Sequence, residues 1–242
     1  MTDVLFAPAK LTLSLRITGV RADGLHLIDA EMVSLDFGDT LEVDPDGDGL
    51  EVVTGADRVV GDPDDLVNRA LRLAGRRAGV VLHKVVPPGA GLGGGSSDAA
   101  AVLRWAGVDD PVTAAAIGAD VGFCLVGGRA RVRGIGELVQ PLPFVHRTLT
   151  MLTPPLHCST PTVYREWDRL GAPTGENGND LEPAALSAYP DLGRWRDELA
   201  GATGIRPRLA GSGSTWFVEG AHPGAGRVVA TTFDPSTGAT PS

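Results

Sequence analysis

The sequence predicts an α+β fold in two parts, and three observations carry that prediction. Segments of two-residue apolar alternation and segments of helical periodicity are mixed along the chain without strict βα alternation. A loop rich in glycine and serine stands directly before an alanine-rich helix. A proline-rich stretch at residues 140–144 then separates the first part, residues 1–144, from a second, residues 145–233. The last residues, 234–242, are rich in Thr, Pro, Ser and Gly and are expected to be disordered.

The elements follow in order. Leu11, Leu13, Leu15 and Ile17 alternate with Thr12, Ser14, Arg16 and Thr18, which is the pattern of a half-buried strand. Arg21-Ala22-Asp23-Gly24 is a turn. Residues 30–35 and 40–43 read as two strands joined through Asp36-Phe37-Gly38-Asp39. Residues 46–64 are rich in Gly and Asp, with short strands and loops. A helix should then open with Asp62 as N-cap and Pro63 at its first position, with Leu66, Ala70, Leu73 and Ala74 along one face. A strand is expected over residues 80–86, helices over 99–106 and 112–119, and a strand over 129–133 after Gly127-Gly128. In the second part, strands are expected at 147–153 and 215–219, helices at 161–170 and 191–199, and a small-residue turn at 209–213.

Composition narrows the function. A chain of 242 residues with 43% hydrophobic content builds an ordinary packed core. A net charge of −9 argues against a nonspecific nucleic-acid partner, which favours a basic face. Cys124 and Cys158 have neither metal-site nor disulfide-framework spacing and read as small buried hydrophobes. The first residues do not form a signal peptide and no run of about 18 apolar residues exists, so a cytoplasmic protein with no membrane partner is expected.

The segment Pro87-Pro88-Gly89-Ala90-Gly91-Leu92-Gly93-Gly94-Gly95-Ser96-Ser97-Asp98 carries the chemistry. Glycines let a backbone approach a ligand, and a helix start offers free N–H groups and a positive dipole end, so the segment suits a phosphate anion. It is not a Walker A loop, because Gly95-Ser96 stands where that motif needs a lysine followed by Ser or Thr. Gly89, Gly91 and Gly94 fit the dinucleotide string, but the parallel strand with its terminal acid does not follow. Two further residues suit phosphoryl transfer, which needs neutralised phosphate charge and a group to take the hydroxyl proton. Lys10 enters a strand short of charge. Asp120 stands where a helix should end and a strand begin, an unfavourable place for an acid. The plain alternatives are a solvated strand-end lysine and a loop cap.

Pro88, Gly91-Leu92-Gly93, Gly95 and Ser96-Ser97 resemble the phosphate loop of the GHMP small-molecule kinases. An ordered set extends the likeness: Pro8-Ala9-Lys10-Leu11, Arg21-Ala22-Asp23-Gly24-Leu25-His26, Gly118-Ala119-Asp120-Val121, Thr160-Pro161-Thr162-Val163-Tyr164, Asn179-Asp180-Leu181-Glu182 and Gly211-Ser212-Gly213. Over residues 4–219 this succession is similar to the 4-diphosphocytidyl-2-C-methyl-D-erythritol kinases, GHMP kinases of the non-mevalonate isoprenoid pathway. The resemblance implies a two-domain fold: an N-terminal domain like ribosomal protein S5 domain 2 and a shortened ferredoxin-like C-terminal domain. It implies ATP and Mg2+ and a small-molecule alcohol as acceptor; the sequence leaves monomer and homodimer both open. Lys10 and Asp120 would be catalytic. Pro88, Gly89, Ala90, Gly91, Leu92, Gly93, Gly94, Gly95, Ser96, Ser97 and Asp65 would serve ATP. Thr12, Leu25, His26, Tyr164, Gly211, Ser212 and Gly213 would meet the substrate, its base lying between Tyr164 and the region of Leu25 and His26. Residues holding a metal are not assigned.

The chain departs from the family pattern at Leu25, where tyrosine is usual, and at Thr12 and Asp65, where asparagine is usual. Leucine lacks a π face, and threonine lacks the paired carbonyl and amide of asparagine. These departures fall on substrate and adenine contacts. A GHMP-type kinase for a different small alcohol and a nucleotide-binding pseudoenzyme are the alternative readings. Bland roles also exist for His26, as a hairpin-end histidine, for Tyr164, as a half-buried helix residue, and for Gly211-Ser212-Gly213, as a plain turn.

Overall fold

The computed structural model describes residues 1–235, so most of the tail expected to be disordered lies outside the described residues. The chain is α+β, with two sheets and helices packed on them. The first sheet has seven strands: β1 (Asp3–Val20), β2 (His26–Asp44), β3 (Gly49–Thr54), β4 (Asp57–Val60), β5 (Gly79–His83), β6 (Arg129–Gly134) and β7 (Leu138–Pro141). Its path runs β4-β3-β5-β2-β6-β7, with β1 also on β2; only β3 and β5 are parallel. Helices α1 (Leu66–Leu73), α2 (Gly94–Trp105), α3 (Pro111–Ala115) and α4 (Val121–Val126) belong to this part. The second sheet has the order β11-β8-β10-β9, from β8 (Thr148–Leu152), β9 (Arg208–Leu209), β10 (Trp216–Glu219) and β11 (Arg227–Thr231), all antiparallel. Helices α5 (Thr160–Arg169), α6 (Glu182–Ala188) and α7 (Leu192–Thr203) complete it.

The strand β1 differs from a simple half-buried strand in a way that builds the site. Lys10 and Thr12 are buried as well as Leu11 and Leu13. Leu11 and Leu13 pack between the two sheets with Val33, Leu35, Leu92, Met151 and Phe217. The pairing register of β1 on β2 shifts between Pro8 and Lys10 and again between Thr12 and Ser14. A shift of one residue moves side chains to the opposite face. Leu15 therefore leaves the Leu11 and Leu13 cluster and joins the main core, on the side of Lys10 and Thr12.

Several expected boundaries are corrected. Residues 30–35 and 40–43 are not two strands but parts of the single strand β2. Pairing with β1 on one edge and with β5 and β6 on the other carries the chain straight through Asp36-Phe37-Gly38-Asp39. The N-cap of α1 is Asp65, not Asp62; Asp65 Oδ1 accepts from Val67 N at 2.8 Å, while the Asp62 carbonyl closes a turn onto Asp65 N. Strand β5 stops at His83 because the N–H groups of Val85 and Val86 turn to the Asp39 carboxylate, at 2.5 and 2.8 Å. The expected 112–119 helix is only Pro111–Ala115, capped by Asp110. Helix α6 was not legible as a helix. Cys124 and Cys158 are buried and free, as expected.

The second part leans on the first through main-chain bonds. Asp180 N donates to the Leu15 carbonyl at 2.9 Å and Leu15 N to Gly178 O at 2.9 Å. Thr215 N and Oγ1 both donate to the Ala90 carbonyl of the glycine loop, at 3.1 and 2.7 Å.

Candidate active site

The glycine loop is held from behind before it offers anything to a ligand. Leu92 and Ala90 are buried, and the Leu92 carbonyl accepts from Lys10 N at 2.9 Å. Ser97 is buried and its Oγ donates to the Pro8 carbonyl at 2.5 Å. Helix α2 starts at Gly94, five residues earlier than expected, so Gly94-Gly95-Ser96-Ser97 form its first turn. Ser97 N closes that turn on the Gly93 carbonyl at 2.9 Å. Two glycines there are required. Gly91, at φ +77°, faces the Gly211-Ser212-Gly213 turn, and a Cβ on it would stand 2.6 Å from the Gly213 carbonyl oxygen. Gly93, at φ +67°, caps α2, and a Cβ there would stand 2.5 Å from Lys10 Cγ.

A cavity of about 600 Å³ opens beside this turn, between the two parts of the chain. From the loop, Gly91, Gly93 and Ser96 line it. Pro88, Gly89, Ala90, Leu92, Gly94, Gly95 and Ser97 do not line this cavity: Ala90, Leu92 and Ser97 are buried behind the loop, Pro88 and Gly95 are exposed outside the cavity, and a Cβ on Gly89 would run into the His157 ring of the second part. Asp65 spends its carboxylate on α1 and is also outside the lining.

Lys10 and Asp120 meet in this cavity. Lys10 Nζ lies 3.1 Å from Asp120 Oδ2 and donates to Thr12 Oγ1 at 3.2 Å. The lysine is almost fully buried and the aspartate is one-third exposed, so the pair presents its carboxylate side to the cavity. The position of Asp120 is a correction. It does not end a helix before a strand; it precedes α4, and no strand begins until Arg129. An acid at a helix N-terminus sits in a favourable dipole field, so electrostatic misfit is not the sign of its role. The informative feature is that its side chain caps no α4 N–H and reaches Lys10 instead.

At the other end, Leu25, His26 and Tyr164 line the cavity together, with Gly211 and Ser212 from the second part. His26 Nε2 bonds Asp168 Oδ1 at 2.8 Å. Its ring packs on Tyr164 with centroids 4.7 Å apart and meets Trp167 edge-on at 5.5 Å. Contact that close leaves no layer for a base between His26 and Tyr164. The two rings make one wall, and half-exposed Leu25 lines the cavity beside them. Burial pushes the Tyr164 hydroxyl above the ordinary phenol range, and the nearby Asp120 charge adds to it. The Gly211-Ser212-Gly213 turn divides its work: Ser212 Oγ bonds Thr160 Oγ1 at 2.8 Å at the start of α5, while Gly213 faces Gly91.

Sequence reasoning missed a buried charge cluster beneath the loop. Lys84 Nζ donates to Asp39 Oδ2 at 2.5 Å and to Asp98 Oδ2 at 2.7 Å. Asp98 belongs to the glycine motif, yet its carboxylate points away from the cavity into this cluster, and its Oδ1 has no hydrogen-bond partner. Burial pushes the Asp98 carboxyl up to about 8, against the pull of the Lys84 charge. Burial works against the charge on Lys84, but the two carboxylates outweigh it and raise its pKa. Asp168, four residues after Tyr164 on α5, was also missed; the same-face i, i+4 spacing was the available signal.

Known proteins share this chain's sequence and fold. Residues 65–128 match the GHMP kinases N terminal domain. The 4-diphosphocytidyl-2-C-methyl-D-erythritol kinase of Paracoccus denitrificans is 38% identical over 87% of this chain and 84% of its own length. That of Granulibacter bethesdensis is 37% identical over 98% and 91%. The chain belongs to the 4-diphosphocytidyl-2-C-methyl-D-erythritol kinase family. A crystal structure of a 4-(cytidine 5'-diphospho)-2C-methyl-D-erythritol kinase superposes with a TM-score of 0.74 at 31% identity, covering 96% of this chain and 98% of the other. A homoserine kinase from Cytophaga hutchinsonii, at 19% identity and a TM-score of 0.61, shares the fold. The chain thus has the GHMP kinase fold. Among the described residues no helix is long and apolar enough to cross a membrane.

Proposed function

We propose that this chain transfers the γ-phosphoryl group of ATP to a hydroxyl of 4-diphosphocytidyl-2-C-methyl-D-erythritol, the reaction of its family. The observation that carries the mechanism is the Lys10–Asp120 pair at 3.1 Å in a cavity whose wall includes the first turn of the glycine loop. In this reading the substrate hydroxyl lies on Asp120, which accepts its proton as the oxygen bonds the γ-phosphorus. The bond from that phosphorus to the β–γ bridging oxygen breaks, and ADP leaves. Lys10, fixed by Asp120 and Thr12, holds the carboxylate in place and offsets the negative charge that develops on the transferred group. The N–H groups of Gly94, Gly95 and Ser96, which the first turn of α2 leaves without a backbone acceptor, receive the phosphates. Buried behind them, Leu92 and Ser97 fix the loop before ligand arrives, which lowers the ordering cost of binding. The cytosine base lies against the His26–Tyr164 wall and Leu25.

Mg2+ belongs to this reading as the companion of the phosphates. Such an ion is commonly held by one or two protein oxygens plus substrate phosphates. The donor set fits that mode: Ser96, a hydroxyl residue in the first turn of α2, lines the cavity next to the N–H groups that would receive the phosphates. Ser96 would hold the ion together with the phosphates, and the ion would neutralise phosphate charge. The partners are small molecules, and the site of action is the cytoplasm. The test is ATP consumption by the purified protein with and without the diphosphocytidyl substrate. Turnover only with that substrate supports the reading. Turnover with another alcohol and none with this one replaces it with a GHMP kinase of different specificity.

A further inference from the structure

The cavity wall contains three cationic or basic side chains, and two are already engaged by acids. Lys10 is held by Asp120 and His26 by Asp168. The third is Arg165, on α5 directly after Tyr164. Its ion-pair partners among the described residues are none; its Nη2 donates to Thr162 Oγ1 at 3.1 Å, one turn back on the same helix. That bond steadies the guanidinium without consuming its charge. A planar fork of donors suits phosphate oxygens better than an ammonium does. The protein around it is acidic, with a net charge of −9, and Asp120 and Asp168 both face the same cavity. A second anion entering beside ATP therefore meets repulsion unless a cation receives it.

We propose that Arg165 forms the subsite for the diphosphate of the acceptor substrate. This rests on the cytidine reading above and specifies it. The base lies on the His26–Tyr164 wall, the reacting hydroxyl on Asp120, and the diphosphate joins the two. Arg165 is adjacent in sequence to the residue that holds the base and lines the same cavity. The site thus selects a nucleoside diphosphate ester over a neutral nucleoside or a simple alcohol.

The experiment compares cytidine and CDP binding by calorimetry, with ADP present at saturation to fill the ATP site. The proteins are the parent, Arg165→Gln and Arg165→Lys. Arg165 is exposed at the rim and makes one hydrogen bond, so equal melting temperatures should accompany the substitutions. A charge-assisted contact of this kind is worth about tenfold or more in affinity. The parent should bind CDP at least about tenfold more tightly than cytidine. Arg165→Gln should lose most of that preference, leave cytidine and ADP affinities within about twofold, and raise the KM of the phosphorylated substrate with kcat nearly kept. Arg165→Lys should recover part of the preference. A CDP preference undiminished in Arg165→Gln overturns the Arg165 subsite while the cytidine pocket stands. A parent that binds neither ligand overturns the cytidine reading and this inference with it.

Discussion

Replacing Asp98 by asparagine should change how stability depends on pH. Asp98 is about 1% exposed, shares the Lys84 ammonium with Asp39 and leaves one oxygen without a partner. In the folded chain its carboxyl is pushed up to about 8 from 3.8, chiefly by burial. The unfolded chain therefore releases this proton near pH 4 and the folded chain keeps it to about pH 8. A raised folded pKa contributes stability that is complete below the unfolded value and is lost as pH rises through the folded one. Between those limits the loss is about 1.4 kcal/mol for each pH unit. From pH 5 to pH 7 this one group removes about 2.7 kcal/mol from the parent.

Asparagine keeps the shape and cannot titrate, so Asp98→Asn lacks that slope. Its absolute stability depends on how the amide meets Lys84 and Asp39; the pH dependence does not. Melting curves of both proteins at pH 5, 6 and 7 give the measurement. The variant should gain on the parent as pH rises, by roughly 5–10 °C over the interval, because 1 kcal/mol is about 2–4 °C at this chain length. Lys84 titrates well above this window and does not mask the effect. Parallel curves would show that Asp98 is already ionised at pH 5 and that the Lys84 charge, not burial, sets its state.

Asp120→Asn should reduce kcat about 10²–10⁴-fold with ATP affinity nearly unchanged, measured by steady-state turnover and nucleotide titration; near-parental turnover would remove Asp120 from proton transfer. Gly93→Val should bind ATP far more weakly in the same titration, because the added Cβ strikes the Lys10 side chain from a left-handed backbone position; parental affinity would show that the loop is not the phosphate site. Tyr164→Ala should raise the substrate KM by removing a stacking surface worth about 1–3 kcal/mol while leaving the KM for ATP alone. Leu25→Tyr should tighten binding of cytidine ligands by giving the open side of the cavity a π face, and unchanged or weaker binding would place the base elsewhere.

The legible part of this site was the part written as local motif. The glycine string could be read from its own residues, while Lys10 and Asp120 became candidates through the order of the motifs around them, and the structure brings the two to 3.1 Å. What could not be read depends on pairings far apart in sequence. Asp39 and Lys84 are 45 residues apart, and β5 ends at His83 because Asp39 takes the next N–H groups, a competition that no window around Val80 contains. The bulges of β1 are set by its partner β2, so strict alternation over Leu11, Leu13, Leu15 and Ile17 concealed a change of face. That change is what lets one strand supply both the interface between the sheets and the cavity wall. Asp120 was identified for a reason the structure reverses, since the helix follows it. Its role is better signalled by a carboxylate that forgoes its own helix cap for a buried lysine. The same logic picks out Arg165, a charge that no acid among the described residues neutralises, beside the His26–Tyr164 wall. Charge that local structure does not consume is the physical mark of a ligand contact, and it becomes visible only when the partners of every neighbouring charge are known.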